Sequence, residues 1–381
     1  MKWEKVKLGE LYEVHNGLSK AGKFFGEGYP FLTFSTVFNN YFIPKQITDL
    51  VQSTEKEQES YSIRRGDVFV TRTSETSDEL GMSCVALKDY PMATYNGFTK
   101  RMRPITNRVF PEYIGYYMRL PSFRGEFRAF STMTTRASLR NEDLLGLEVK
   151  LPSIEIQKQI ADILSAYDDL IENNQKQIKL LEEAAQRLYK EWFVDLRFPV
   201  HENTKIVDGV PEGWSRGLLK ELISVNYGKD HKKAPDDGNI PVYGSGGLMR
   251  KCNKSLFSGE AVLIPRKGSL NNIMYVDETF WTVDTMFYAT MKQPHIAVFV
   301  YFFVKAFDMY SMNIGAAVPS MTAKILDAMD VVIPDKETLE KFDKRAKLYF
   351  NKIKTLQGQN ERLKIARDLL LPKLMSGEVE V

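Results

Sequence analysis

The chain is short of cysteine, histidine and long apolar runs, and each shortage removes a class of protein. Only two cysteines occur among 381 residues, Cys84 and Cys252, far apart and outside any CxxC pattern. That excludes a disulfide scaffold and a cysteine-based zinc site, and it fits a reducing, cytoplasmic setting. The four histidines, His15, His201, His231 and His295, are scattered without metal-ligand spacing. The longest apolar run, Ile296 to Val304, falls far short of the roughly 20 residues that span a bilayer. Met1 to Leu11 carries Lys2, Glu4, Lys5, Lys7 and Glu10 and does not read as an export signal, so no membrane association is expected. Neither charge sign dominates. Lys plus Arg number 52 against 49 Asp plus Glu, a net of +3, so any nucleic-acid contact must come from local patches.

Signatures of catalysis are missing as well. Gly244-Ser-Gly-Gly247 lacks the Gly-Lys-Ser/Thr ending of a P-loop and reads as a turn. No GxGxxG follows a strand, and the Asn-Pro-Pro-aromatic tetrapeptide of amino-methyltransferases is absent. Pro235-Asp236 and Pro334-Asp335 are not followed by a strand bearing an acid-x-Lys pair, and Pro334-Asp335 opens a helix. No catalytic constellation and no metal site is visible.

What is present is a duplicated architecture. A chain of this length, 43% hydrophobic and 27% charged, can build two or three cored domains. At an offset of 211, Trp3, Leu8, Glu10, Leu11, Val14 and Gly17 meet Trp214, Leu219, Glu221, Leu222, Val225 and Gly228. At an offset of 182, Ser138, Leu144, Pro152, Glu155, Tyr167, Ile171, Leu181, Ala184 and Leu188 meet Ser320, Leu326, Pro334, Glu337, Tyr349, Ile353, Leu363, Ala366 and Leu370. The difference, 211 − 182 = 29, is the number of residues missing from the middle of the second copy. The order is globe, helix, globe, helix.

The predicted fold is α+β. A strand-rich globe spans 1–152, a long helix 153–197, a linker 198–211, a second globe 212–334 and a second long helix 335–377. Short β-like runs and glycine turns mark the globes, with helices around Pro111 to Phe130 and Ile296 to Met309. In the long helices Ile160, Tyr167, Asn174, Leu181 and Leu188 recur every seven residues, beside Leu164, Ile171, Ile178, Ala185 and Trp192. Phe342, Tyr349, Leu356, Leu363 and Leu370 form the equivalent row in the second copy. A seven-residue period held this long predicts a coiled coil rather than one amphipathic helix on a core. The linker is short, so the second helix must run back along the first, and an antiparallel bar between two globes is expected. Asn174 is either a register-fixing polar residue in the seam or a solvated seam position.

Positive charge concentrates locally. Between Lys100 and Arg140 lie Lys100, Arg101, Arg103, Arg108, Arg119, Arg124, Arg128, Arg136 and Arg140, opposed by Glu112 and Glu126. Arginine suits forked contacts to phosphate or guanine. The interleaved aromatics from Phe110 to Phe130 are spaced as a core stripe. Candidate DNA-binding residues in the first globe are Lys20, Lys23, Arg72, Thr73, Ser74, Lys100, Arg101, Arg103 and Arg136. In the second they are Lys229, Lys232, Lys233, Ser245, Arg250, Lys251, Arg266, Lys267, Ser269, Asn271 and Asn272. Arg72 and Arg266 follow matching strands, Val68 to Thr71 and Ala261 to Ile264.

Taken together, Trp3 to Gly17 with its copy at Trp214 to Gly228, Gly238-Asn-Ile-Pro-Val-Tyr-Gly-Ser-Gly-Gly247, and the globe exits Leu147 to Glu155 and Met329 to Glu337 resemble the specificity subunit of type I restriction–modification systems. The first copy departs from the glycine signature, with only Gly26-Glu-Gly28-Tyr-Pro-Phe31. The resemblance implies two target-recognition domains, each reading half of a split double-stranded DNA site, and helices that set the gap and dock two methyltransferase subunits. Restriction–translocase subunits would join that complex. S-adenosylmethionine, ATP and Mg²⁺ would belong to those partners, with no cofactor in this chain. A protein-binding coiled-coil scaffold, and a nuclease or methyltransferase with a divergent site, are the competing readings.

Overall fold

The computed structural model describes residues 3–74, 79–129, 137–312 and 320–381. The chain folds into two compact units, one formed by Met1–Asn173 with Asn360–Val381 and the other by Asn174–Gln359. Each contains one globe and half of each long helix.

In the first unit β1 (Glu4–Lys7) pairs antiparallel with β9 (Glu148–Leu151), Glu4 opposite Leu151. A four-stranded sheet runs β2 (Tyr12–Asn16), β8 (Thr99–Pro104), β5 (Val68–Thr71), β6 (Ser83–Val85). A three-stranded sheet joins β4 (Leu50–Val51), β3 (Phe25–Leu32) and β7 (Thr94–Tyr95). Tyr113, Tyr116, Tyr117, Phe123 and Phe127 are buried, in helices Pro111–Tyr117 and Pro121–Ala129, as the core-stripe spacing predicts.

In the second unit β10 (Ser215–Leu218) pairs with β17 (Asp330–Ile333), Ser215 opposite Ile333. One six-stranded sheet runs β11 (Ile223–Tyr227), β16 (Met286–Met291), β14 (Phe257–Pro265), β15 (Met274–Thr282), β12 (Ile240–Gly244), β13 (Gly247–Cys252). The apolar helix Ala297–Lys305 is buried in its core.

Strand pairing proves the repeat and locates its missing 29 residues. Glu4 and Leu151 become Ser215 and Ile333 at offsets of 211 and 182. Phe31 opposite Thr94 becomes Val242 opposite Trp281, offsets of 211 and 187. Val68 opposite Met102 becomes Val262 opposite Ala289, offsets of 194 and 187. The second globe is therefore shorter by 211 − 194 = 17 residues between β3 and β5, by 194 − 187 = 7 between β5 and β7, and by 187 − 182 = 5 after β8. The first of these differences removes two short helices of the first globe, Phe34–Asn39 and Glu55–Ser60, which have no counterpart between β12 and β14. The ladders keep their register, because a one-residue slip would turn every core side chain outward.

The first long helix is Ile154–Tyr189, and a π-helical turn, Lys190–Val194, follows it, the Asp195 N–H donating to the Lys190 carbonyl at 2.8 Å. The second is Lys336–Ser376. Asp335 caps it, accepting from the Thr338 N–H at 2.9 Å and the Trp214 Nε1–H at 2.9 Å. In the first unit Ile160, Ala161 and Leu164 share a core with Leu371, Leu374 and Met375. In the second, Ala185, Tyr189 and Trp192 share one with Leu339, Phe342 and Ala346. The start of each helix thus meets the end of the other, as an antiparallel pair requires.

The predicted rows hold unevenly. Ile160, Phe342, Leu356 and Asn174 are buried; Tyr167, Leu181, Leu188, Tyr349, Leu363 and Leu370 are half-buried. Burial puts Asn174 in the seam rather than in solvent. A further heptad row lies beside the one read from sequence in the second helix: Leu339, Ala346, Ile353, Asn360, Arg367 and Leu374. Its polar members hide it from a hydrophobic-pattern search. Arg367 earns its place by pairing with Asp168, which also accepts from the Tyr116 hydroxyl at 2.6 Å, and by lying 5.0 Å over the Tyr41 ring.

Candidate nucleic-acid interface

In both units one end of the sheet is drawn together by equivalent main-chain bonds. The Gly17 N–H donates to the Thr99 carbonyl at 3.2 Å and the Arg72 N–H to that of Phe98 at 3.0 Å. In the second unit Gly228 donates to Met286 at 3.0 Å and Arg266 to Thr285 at 2.8 Å. The two glycines explain themselves. A Cβ at Gly17 would sit 2.1 Å from the Asn96 carbonyl oxygen, and one at Gly228 1.9 Å from that of Val283. Only a residue without a side chain lets the strands approach so closely.

This construction puts Arg72 and Arg266 at the same place, just past β5 and β14, but in unlike surroundings. Arg266 lies over the ring of Tyr227, 5.5 Å from its centroid, and Tyr227 is 54% exposed. Exposed Lys229 follows two residues on, and exposed Lys267 and Ser269 extend the loop. Tyr310 borders it, its hydroxyl donating to the Gly268 carbonyl at 3.2 Å. In the first unit the position of Tyr227 is held by Asn16, and Arg72 has no aromatic partner among the described residues.

Several sequence candidates are turned inward. Arg103 forms a two-pronged pair with the fully buried Asp67, Nε to Oδ1 at 2.8 Å and Nη2 to Oδ2 at 2.7 Å. Asp67 raises its proton affinity further. Arg101 is 3% exposed, donates to the Ser62 carbonyl at 2.8 Å and covers Tyr95; burial lowers its pKa. Lys100 is buried on Asn16 and Asn141, and burial, then Arg72, lowers its pKa. Both faces of β8 are enclosed, so a run of cations that looks like a surface stripe is largely internal. Arg119 is likewise internal: it donates to the carbonyls of Val37, Asn40 and Ser83, and burial pulls its pKa down to about 10.

Elsewhere, Arg250 braces the turn at His231, bonding Asp236 and the Ala234 carbonyl at 2.7 Å. Asn271 holds Asp308 at 3.0 Å and the Met309 N–H at 2.8 Å; Asn272 holds the Ser245 carbonyl at 2.8 Å. These amides shape the loop that displays Lys267 and Ser269. Lys20 pairs with Glu57 at 2.8 Å, and Lys20 and Lys23 both lie 5.1 Å from the Phe24 ring centre. Lys232 and Lys251 are exposed. Arg136, and the side chains of Thr73, Ser74 and Lys233, lie outside the described residues. Sequence reasoning missed Asn16, Tyr227 and Tyr310; the repeat does flag the first two, which directly precede the matched glycines. Among the described residues no group of three or more His, Cys, Asp or Glu side chains could hold a metal ion, and no helix is long and apolar enough to cross a membrane.

A sequence model of the family described as "Type I restriction modification DNA specificity domain" matches residues 1–183 and 211–364, once over each half of the repeat. This chain belongs to that family. A specificity subunit of the type I restriction enzyme MjaIX of Methanocaldococcus jannaschii is 25% identical, over 100% of this chain and 94% of the relative. That of the HindI enzyme of Haemophilus influenzae is 22% identical, over 99% of both. The crystal structure of a type I restriction–modification S subunit from M. genitalium shares the fold, with a TM-score of 0.57 and 17% identity over 98% of this chain and 96% of that one. The α+β architecture of two specificity domains with paired long helices is therefore that of the family.

Proposed function

We propose that this chain is the DNA-recognition subunit of a type I restriction–modification complex and has no catalytic centre of its own. Each globe reads one half of a bipartite site, and the long helices set the gap and dock methyltransferase subunits, two in number. Restriction–translocase subunits join that complex. S-adenosylmethionine, ATP and Mg²⁺ are used on those partners. The observation that carries this reading is the pair of sheet ends built in one register, each presenting an arginine after the same strand but amid different neighbours. Equivalent frames with unlike readers suit two different half-sites held by one chain.

Methylation mapping in cells expressing this chain with its methyltransferase subunit tests the reading. One motif of two short half-sites around a fixed gap is expected. A stable complex that methylates no new site would refute it in favour of a protein-binding scaffold. Matched one-heptad insertions in both helices should lengthen the gap by about 10 Å, or roughly 3 base pairs. An unchanged gap would refute the spacing role.

A further inference from the structure

The first unit holds two neighbouring cations that no anion among the described residues neutralises. Arg72 is half-buried, its Nε is enclosed without a hydrogen-bond partner, and no ion pair engages its guanidinium among the described residues. Lys100, 6% exposed, donates among the described residues only to the neutral side-chain oxygens of Asn16 and Asn141. Lys100 stands opposite Val70 and the Arg72 N–H donates to the Phe98 carbonyl at 3.0 Å, so the two residues lie two places apart on neighbouring strands. Burial and then Arg72 lower the pKa of Lys100, and no carboxylate among the described residues pairs with either. Enclosed charges in proteins are ordinarily paired, because desolvation is otherwise uncompensated.

The second unit shows what the same frame looks like without this arrangement. By the offsets above, Lys100 is replaced by the buried Phe287 and Asn16 by Tyr227, whose rings meet at 5.0 Å. The single remaining cation, Arg266, is covered by Tyr227. The double charge is thus a property of the first unit and not of the fold.

We infer that Arg72 and Lys100 form an anion site that receives a backbone phosphate of DNA bound to the first unit. This rests on the DNA-recognition reading. A phosphate fits better than a base edge, since a neutral edge would leave both charges uncompensated. Arg72 supplies the forked donors at the surface, and Lys100 adds field from beneath. In the second unit the stacked Arg266 and Tyr227 have one charge and an exposed ring to offer instead.

The test uses the full chain in its assembled complex, with Arg72→Gln and Lys100→Met, and Arg266→Gln for comparison. Each phosphate contact contributes about 0.9 to the slope of log affinity against log salt on duplex DNA. Arg72→Gln is expected to reduce the slope by about that amount, equally on cognate and unrelated duplexes. Inorganic phosphate should raise the melting temperature of the wild-type chain, and neither first-unit variant should retain that rise. Among the described residues the Arg72 side chain bonds no other, so its variant is expected to fold, which the melting temperature without phosphate checks. A wild-type slope and an undiminished phosphate response in both variants would overturn the proposal. So would an unchanged slope with relaxed sequence preference, which would make Arg72 a base reader. If phosphate stabilises the wild type but not the variants, while no form binds DNA, the assignment to DNA fails together with the reading beneath it.

Discussion

Arg103 is where a binding role and a structural role diverge most sharply, and Arg103→Met separates them. The change keeps the apolar stem and removes the fork. Asp67, fully buried, then loses bonds of 2.8 and 2.7 Å and keeps, among the described residues, the Arg64 N–H at 2.8 Å. Leaving one partner of a buried pair unmatched costs about 3–5 kcal/mol. The surviving N–H bond puts the expected loss near the lower figure, about 3 kcal/mol. For a unit of this size each kcal/mol shifts the midpoint by roughly 2–4 °C, so melting should fall by about 6–12 °C. The second unit supplies the control. At the same two ladder positions it carries Ala261 opposite Thr290, a neutral pair in the same register. Grafting that pair, Asp67→Ala with Arg103→Thr, should recover most of the loss, because no charge is then buried unpaired. The assay is thermal and urea unfolding of the purified chain, beside the salt slope of DNA binding by the complex. Wild-type melting by Arg103→Met, combined with a shallower slope, would refute the reasoning and make Arg103 a phosphate contact.

Two further outcomes test the helix pair. Asp335→Ala removes the cap of the second long helix and the acceptor of Trp214, and should cost about 0.5–2 kcal/mol. Burial opposes ionisation of Asp335, but donors from Thr338, Trp214 and Glu337 outweigh it and hold its pKa below the ordinary value. Its contribution is therefore complete above the ordinary carboxylate pKa and disappears as pH falls through the lower folded value. The alanine variant should lack that part of the acid destabilisation, and an identical acid profile would contradict the assignment. Phe342 is fully buried against Trp192 and Phe193, so Phe342→Ala should lose about 3–5 kcal/mol in chemical unfolding. A loss below 1 kcal/mol would mean that the helix ends do not pack as described.

The architecture was legible because it is written twice. Offsets of 211 and 182, read from scattered matches such as Trp3 with Trp214 and Pro152 with Pro334, map the ladder pair Glu4 and Leu151 onto Ser215 and Ile333 without a residue of slip. The heptad period likewise marked both long helices, to within a few residues at their ends. The interface was less legible. The cations of β8 read as a surface run because the groups that take them inward are distant in sequence: Asp67, which pairs with Arg103, is 36 residues away, and Ser62, which accepts from Arg101, is 39. Nothing in local composition reports a contact across a sheet. Asn360 and Arg367 were missed for a related reason: polar residues in a seam break the apolar pattern that reveals it. The equivalence of Arg72 and Arg266 was legible because correspondence between copies does not depend on burial.

The ladder that closes each globe has a bearing on how such a chain can change. β1 and β9 are hydrogen-bonded neighbours, as are β10 and β17, so the polypeptide enters and leaves each globe at adjoining points. Everything between is an insert hanging from a two-stranded stem, and the stems match residue for residue. A stretch such as 8–147 could be exchanged for its counterpart 219–329, or for a foreign one, while the stem strands and the helices rooted in them keep their places. What is recognised can thus be rewritten without rebuilding what does the holding.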